Sequence, residues 1–333
     1  MTRSLVIGGT LFIGRALVRR LLERGEQVTL LHRGRLNPFA GKTGEIHCDR
    51  NDVAAVRKAV AGRRFDVVYD NVYDWQRGTT GEQVEAAAAA VADGLRRYVF
   101  VSSVAVYRPY QPNRPGESLS EEAPLAAADD PDDYPRNKAS TERMLFRLHA
   151  ERGFPAVTLR PPYVYGPENP FYREAFFWDR LLDDRPILVP EDGSRLMQFV
   201  LADDVARAAI AAADTETAAG RAYNVCNDPP ITQLELLEAL AKVAHRQARP
   251  VHVPRRRLLE MGGGLFAPPY YFAQYFDMPP ITESNARARR ELGFEPTSFE
   301  EGLSRAFEWY GRQERLPVDY AWEDRVLESV AGS

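Results

Sequence analysis

Residues 5–25 restrict the fold more than any other stretch of the chain. Leu5-Val6-Ile7 is a short apolar run of the kind a buried parallel strand needs, and it breaks at Gly8-Gly9. From Phe12 onward Leu17, Val18, Leu21 and Leu22 recur at the spacing of one helical face, and Gly25 falls where such a helix stops. A strand, a glycine turn and a helix in immediate succession aim backbone N–H groups and the positive end of a helix dipole at one point. The pyrophosphate of a dinucleotide fits there. The spacing is Gly-Gly-x-x-x-x-Gly: Gly8 and Gly9 are expected to make the turn and Gly14 to let the helix pack close to the sheet. Leu11 stands where a glycine usually admits the phosphates. A structural strand-to-helix turn with no ligand is the alternative reading of these glycines taken alone.

The second strand, Gln27–Leu31, leaves through His32-Arg33-Gly34-Arg35. NAD-selective sites place an acid near this point to accept bonds from the ribose hydroxyls. None is present, and Arg33 and Arg35 suit a 2′-phosphate through charge-assisted bonds, so NADP is favoured over NAD. Two solvated loop arginines are the plainer alternative. Asp49, after the strand-like Glu45–Cys48, is a candidate for the adenine amino group. The full expected cofactor set is Gly8, Gly9, Thr10, Leu11, Phe12, Ile13, Gly14, His32, Arg33, Arg35, Asp49, Asn71, Ser102, Pro161 and Tyr163.

Strand and helix candidates then alternate: a helix near Asn51–Ala61, a strand at Phe65–Tyr69, an Ala-rich helix at Gly81–Ala92, a strand at Tyr98–Val101, a helix at Tyr134–Arg152 and a strand at Ala156–Leu159. That rhythm predicts an α/β protein with a doubly wound parallel sheet. Beyond Arg160 prolines and aromatics punctuate shorter pieces, before a helix at Asp203–Ala213 and a strand at Ala222–Val225 return to the main sheet. The expected division is a Rossmann-type domain from residues 1–165 and 196–226, with a smaller, mixed α/β substrate lobe from 166–195 and 227–333. Thr232-Gln-Leu-Glu235 opens a helix with a capping-box signature, and Gly262-Gly263-Gly264 reads as a flexible loop.

Composition excludes several classes. A net charge of −4 and a pI of about 5.9 give no nucleic-acid footprint at the level of the whole protein. The two cysteines, Cys48 and Cys226, lie far apart and argue for a reducing compartment without disulfides. No apolar run approaches the roughly 20 residues of a membrane span. Met1-Thr2-Arg3 leads directly into the first strand, so no signal peptide is expected. The five histidines are scattered without metal-ligand spacing, so no metal is expected. A cytoplasmic protein is the expectation.

The strand Tyr98–Val101 ends in Ser102-Ser103, and Tyr134-Pro-Arg-Asn-Lys138 follows about thirty residues later. Asp132-Asp133 and Pro135 suit a helix start, which puts Tyr134 and Lys138 one turn apart on one face. With only four lysines in the chain a chance Tyr-x-x-x-Lys is uncommon. A phenol of pKa about 10 is a poor base at neutral pH, but an adjacent ammonium favours the phenolate. Tyr134 is then placed to take a proton from an alcohol or return one to a ketone. Ser103 would hold the substrate oxygen and Lys138 the cofactor ribose. A surface Tyr–Lys pair beside a buried serine is the bland alternative.

Gly-Gly-Thr-x-Phe-Ile-Gly, Ser-Ser-x-x-Val-Tyr, Tyr-x-x-x-Lys, Leu159-Arg-Pro-Pro-Tyr-Val-Tyr-Gly-Pro167, Phe199-Val-Leu-Ala-Asp-Asp-Val-Ala206 and Tyr223-Asn-Val225 stand in the order seen in extended short-chain dehydrogenase/reductases. The chain resembles that group, which includes nucleotide-sugar epimerases and dehydratases. The resemblance implies a nicotinamide cofactor, Ser103, Tyr134 and Lys138 as catalytic residues, a small-molecule substrate and a homodimer. The His-Arg-Gly after the second strand, Phe65-Asp-Val-Val-Tyr-Asp70 and Arg185-Pro-Ile-Leu-Val-Pro190 further resemble the chloroplast stem-loop-binding-protein branch. Some members of that branch have lost the Tyr/Lys pair; this chain keeps it.

Three departures narrow the reaction. Dehydratases of the family carry Asp-Glu after the catalytic Ser or Thr, whereas Val104-Ala105 stand here and neither exchanges a proton, so a 4,6-dehydratase is not expected. The diphosphate-binding arginine position matches Met197, with Arg195 two residues earlier, and a second arginine is missing near Phe276-Asp277-Met278. Tyr163 replaces the Asn that often follows Arg-Pro-Pro. The expected reaction is hydride transfer at a secondary alcohol or ketone of a sugar-like substrate, ending as an epimerisation or a net redox change. Tyr73, Tyr107, Tyr163 and Arg195 are the substrate candidates, and Trp75, Phe171, Tyr172, Phe176, Phe177 and Trp178 are aromatics able to wall the pocket or fill the core. The rival is a cofactor-holding RNA-binding protein, supported by Arg255-Arg256-Arg257 and the Arg287–Arg290 cluster.

Overall fold

The computed structural model describes residues 1–34, 36–107, 117–264 and 276–331. The chain alternates through β1 (Arg3–Ile7), α1 (Phe12–Glu23), β2 (Gln27–His32), β3 (Gly44–His47), α2 (Val53–Val60), β4 (Val67–Asp70), α3 (Gly81–Ala90), β5 (Arg97–Val101), α4 (Asp133–Arg152) and β6 (Ala156–Arg160). Short pieces follow: β7 (Tyr163–Tyr165), α5 (Glu174–Leu182), β8 (Ile187–Pro190), β9 (Leu196–Met197) and β10 (Phe199–Leu201). Then come α6 (Ala202–Asp214), β11 (Arg221–Asn224) and α7 (Gln233–Val243).

Seven strands form one sheet in the order β11-β6-β5-β4-β1-β2-β3, with every pair parallel. Parallel strands are covered on both faces, so they are apolar nearly throughout; all five residues of β5 are buried. On one face Val6, Leu30, Tyr69, Val99 and Leu159 pack with Leu17, Val18 and Leu21 of α1 and Val205 and Ala209 of α6. On the other, Ile7, Val68, Tyr98 and Phe100 pack with Val56 of α2, Val84 of α3 and Leu145 of α4. Strand order reverses between β1 and β4, which opens a crevice at their carboxyl ends where ligands of such sheets bind. A separate apolar core joins α5 and α7 to the C-terminal helices through Phe176, Phe177, Trp178, Leu237, Leu303 and Trp322.

Element boundaries shift by one or two residues for local reasons. Helix α4 starts at Asp133 because Asp132 takes the cap, accepting the Tyr134 N–H at 3.2 Å. Strand β4 begins at Val67 and runs on to Asp70, which pairs with Phe100. The Thr232/Glu235 capping box forms as expected. Cys48 and Cys226 are both buried and free. Among the described residues no helix is long and apolar enough to cross a membrane.

Candidate functional site

The glycine turn is shaped by backbone crowding. Gly8 has φ +87°, a region L side chains avoid. A Cβ on Gly14 would lie 1.9 Å from the Gly8 carbonyl oxygen, an atom that cannot swing aside. Gly9 is buried beneath Leu30 and Val18, while Thr10 and Ile13 are half-buried. Leu11 is 58% exposed and caps α1 without a side-chain bond, and the first turn carries no acid. Among the described residues the leading N–H groups of α1 therefore have no anionic partner, which fits a phosphate. Phe12 is buried with φ +43°. Asn71 lies directly under the turn, donating its N–H to Ile7 O at 3.1 Å with its amide nitrogen against Gly14. Replacing Gly14 by Ala should lower stability by about 1–3 kcal/mol through this clash. It should also weaken cofactor binding, read by denaturant unfolding and a fluorescence titration with NAD(P)H.

At the carboxyl ends of β2 and β3 an ionic cluster surrounds Asp49. Arg77 donates to Asp49 at 2.7 Å and to Asp74 at 2.6 Å, and Arg33 approaches the same Asp74 oxygen at 3.6 Å. Burial raises the Asp49 pKa, but the Asn51 N–H and the Arg77 guanidinium outweigh it and hold the carboxyl below its usual range. A 2′-phosphate would compete with these carboxylates for Arg33. Arg35 lies outside the described residues. Arg77 and Asp74 were not among the expected site residues, although their i, i+3 spacing hints at the turn they close.

The histidines expected to be scattered are in part brought together. Strand register pairs His32 with His47, and Glu45 faces both rings, at 3.3 Å from His32 and 2.8 Å from His47. His32 Nδ1 accepts the Gly34 N–H at 3.1 Å, so its Nε2 carries the proton and turns it toward Glu45. Only His47 is within hydrogen-bond geometry of Glu45; the His32 Nε2 is buried and makes no hydrogen bond among the described residues.

The other end of the crevice holds the expected catalytic residues. Ser103 follows β5 and its Oγ accepts the Ala105 N–H at 3.1 Å, capping a short 3₁₀ turn at Val104–Val106. Ser102 is buried, donates its N–H to Leu159 O at 2.7 Å, and its hydroxyl has no partner among the described residues. Helix α4 docks on this turn through Ala139, packed with Val106 and Tyr107. Its neighbour Lys138 is buried, donates to Val101 O at 2.7 Å and sits 4.5 Å from the Phe100 ring centroid. Burial lowers the Lys138 pKa to about 8; the carboxylates of Asp70 and Glu142 oppose that fall and Arg50 adds to it. Tyr134, one turn earlier, lies edge-on to Tyr73 at 4.7 Å and tilted by 30° against Trp75 at 4.7 Å. Trp75 is 58% exposed and meets Phe171 edge-on at 6.2 Å. Pro161 O accepts the Val104 N–H at 2.9 Å, and half-buried Tyr163 donates its N–H to Gln198 O at 3.3 Å.

Two substrate candidates are placed otherwise. Tyr107 is 3% exposed, with its hydroxyl donating to Asn224 at 2.5 Å and accepting from Arg160 at 2.8 Å, so it belongs to a buried polar network. Arg195 pairs with Asp277 at 2.9 Å, a carboxylate it shares with Arg255. Phe176, Phe177 and Trp178 are core residues.

Parallel strand order, a glycine cradle at a helix start and a Ser/Tyr/Lys cluster across the crevice define a nucleotide-binding α/β protein of the short-chain dehydrogenase/reductase kind. The chain belongs to the NAD dependent epimerase/dehydratase family, whose sequence profile matches residues 4–226. It is 28% identical to the chloroplast stem-loop binding protein of 41 kDa b of Arabidopsis thaliana, over 98% of this chain and 84% of that one. It is also 28% identical to a 2-alkyl-3-oxoalkanoate reductase of Stenotrophomonas maltophilia, over 91% of this chain and 98% of that one. Its fold matches the UDP-glucose 4-epimerase of Thermus thermophilus in complex with NAD, with a TM-score of 0.74 and 22% identity over 94% of this chain and all of that one.

Proposed function

We propose that this protein is an NAD(P)-dependent oxidoreductase or epimerase acting at a secondary alcohol or ketone of a sugar-like substrate. The observation that carries this reading is the buried Lys138, one turn from Tyr134 and bonded to the carbonyl at the end of the strand that leads into Ser103. The glycine cradle from Gly8 to Gly14 would hold the cofactor pyrophosphate, Asn71 would support it from below, and Arg33 and Asp49 face the adenosine end. A bound nicotinamide gives or accepts a hydride. Tyr134 holds and moves the accompanying proton, Ser103 orients the substrate oxygen, and Lys138 keeps a positive charge beside the phenol.

A diphosphate-linked sugar is poorly provided for, since Met197 is buried in the core and Arg195 is engaged by Asp277. Val104 and Ala105 offer no group for water elimination, which speaks against a 4,6-dehydratase. Reductase and epimerase names among the relatives fit either outcome of the same chemistry. Against the RNA-binding rival, Arg255, Arg256, Arg287, Arg289 and Arg290 each hold a carboxylate, while Arg257 meets Ser329.

Mass spectrometry of the purified protein under non-denaturing conditions tests the reading. Tightly retained NAD would assign an epimerase that recycles its cofactor; readily exchanged NADPH would assign a reductase. A protein that neither retains nor binds any nicotinamide dinucleotide in titration would overturn it.

A further inference from the structure

The sheet face under α4 carries a charged group that the proposed proton chemistry does not yet use. Asp70 ends β4 and is wholly buried, at 0% exposure, after an apolar strand. One of its oxygens, Oδ2, receives Arg50 at 2.5 Å and the Tyr98 hydroxyl at 2.7 Å. The other, Oδ1, is buried without any partner among the described residues. Arg50 is fixed in turn by the Gln83 carbonyl at 2.9 Å. Asp70 and Phe100 are register partners in adjacent parallel strands, so their side chains leave the same face of the sheet. Lys138 lies over that Phe100 ring. An ammonium and a half-used carboxylate thus share one dry layer between β4, β5 and α4.

We infer that Asp70, held in place by Arg50 and Tyr98, is the positioning residue that keeps Lys138 charged, and that Arg50 limits how strongly it does so. The inference rests on the functional reading above, because it gives that charge a purpose at Tyr134. An ammonium with no carboxylate nearby would shed its proton in so apolar a site, since burial disfavours the charged form. Electrostatics agrees in sign: Asp70 favours the protonated amine and Arg50 opposes it. The remaining groups facing Lys138 are accounted for. Glu142, one turn along α4, also favours the charged amine but is held by Arg160 at 3.1 Å. Tyr73, 5.7 Å away, is a phenol that burial pushes above its usual pKa and so stays neutral. Tyr134 is the group the charge serves.

The chain contains only Lys42, Lys58, Lys138 and Lys242, so a lysine side chain can be followed directly. Protein labelled with carbon-13 and nitrogen-15 lysine should give four resolvable side-chain signals, with Lys138 assigned by its loss in Lys138→Arg. Asp70→Asn should move the Lys138 titration midpoint down by about one pH unit or more, and Arg50→Gln should move it up by a similar amount. Tyr98→Phe keeps both charges and should leave it in place, and Asp70→Asn/Arg50→Gln should place it between the two single variants. Either single variant suffices if the other fails to fold, and the double variant removes Asp70 and Arg50 together, so neither partner of that pair is left stranded. Midpoints that stay fixed, or move the same way in both single variants, overturn the proposal. This readout needs no substrate, so it can fail while the Tyr134 assignment stands, and it can succeed while that assignment fails.

Discussion

Tyr134→Phe should lower turnover by about 10²–10⁴-fold, the contribution of a positioned acid–base group, while cofactor affinity stays nearly unchanged. The substitution removes one oxygen and keeps the ring, so the edge contact with Tyr73 and the tilted contact with Trp75 persist. The glycine cradle lies on a different element and should not respond. Steady-state rates followed through nicotinamide absorbance, paired with a fluorescence titration of NAD(P)H, separate the two quantities. Normal turnover in this variant on any substrate that the wild type converts would remove Tyr134 from the chemistry. A parallel loss of cofactor affinity would instead make the tyrosine a structural member of the binding site.

The second large effect concerns stability. Arg160→Met should destabilise the fold by about 3–5 kcal/mol, the range for breaking a buried ion pair at one partner. Arg160 and Glu142 are both almost completely removed from solvent, and the guanidinium also donates to Tyr107 at 2.8 Å and to the Glu121 carbonyl at 3.0 Å. Deleting it strands a carboxylate in the core one helical turn from Lys138. Urea unfolding monitored by tryptophan fluorescence measures the loss. A change below about 1 kcal/mol, the scale of a surface pair, would mean that water reaches Glu142 and screens it.

These two expectations also mark where local reading ends. The cradle and the Tyr134/Lys138 pair were legible because each is written within one turn or one strand-to-helix step. Glycine spacing, a capping Asp132 and an i, i+4 interval carry their own geometry. The alternation of β1 through β6 was legible for a related reason, since parallel strands buried on both faces leave continuous apolar runs. Boundaries moved where one side chain decided them, as Asp132 did for α4.

Other features were hidden because their partners are far apart in the chain. Tyr107 looks like any pocket-wall tyrosine until Asn224 and Arg160 are brought to its hydroxyl. His32 and His47 became neighbours only through the register of β2 on β3. Asp70 reads as the end of a strand until Arg50 and the Tyr98 hydroxyl are brought to its carboxylate. The aromatics divided in the same way: Trp75 and Phe171 came to Tyr134, while Phe176, Phe177 and Trp178 went to the core.

Short-range periodicity and capping, which depend on neighbours within a few residues, were enough to give the class of sheet, the glycine turn before α1 and the placing of Tyr134 and Lys138 one turn apart on α4. Which polar side chains are buried together, which cations are already paired and which aromatics face the crevice were settled by the packed molecule. Desolvation and charge pairing depend on every atom around a group, and those atoms arrive from distant parts of the chain only when the sheet and its two helical layers close.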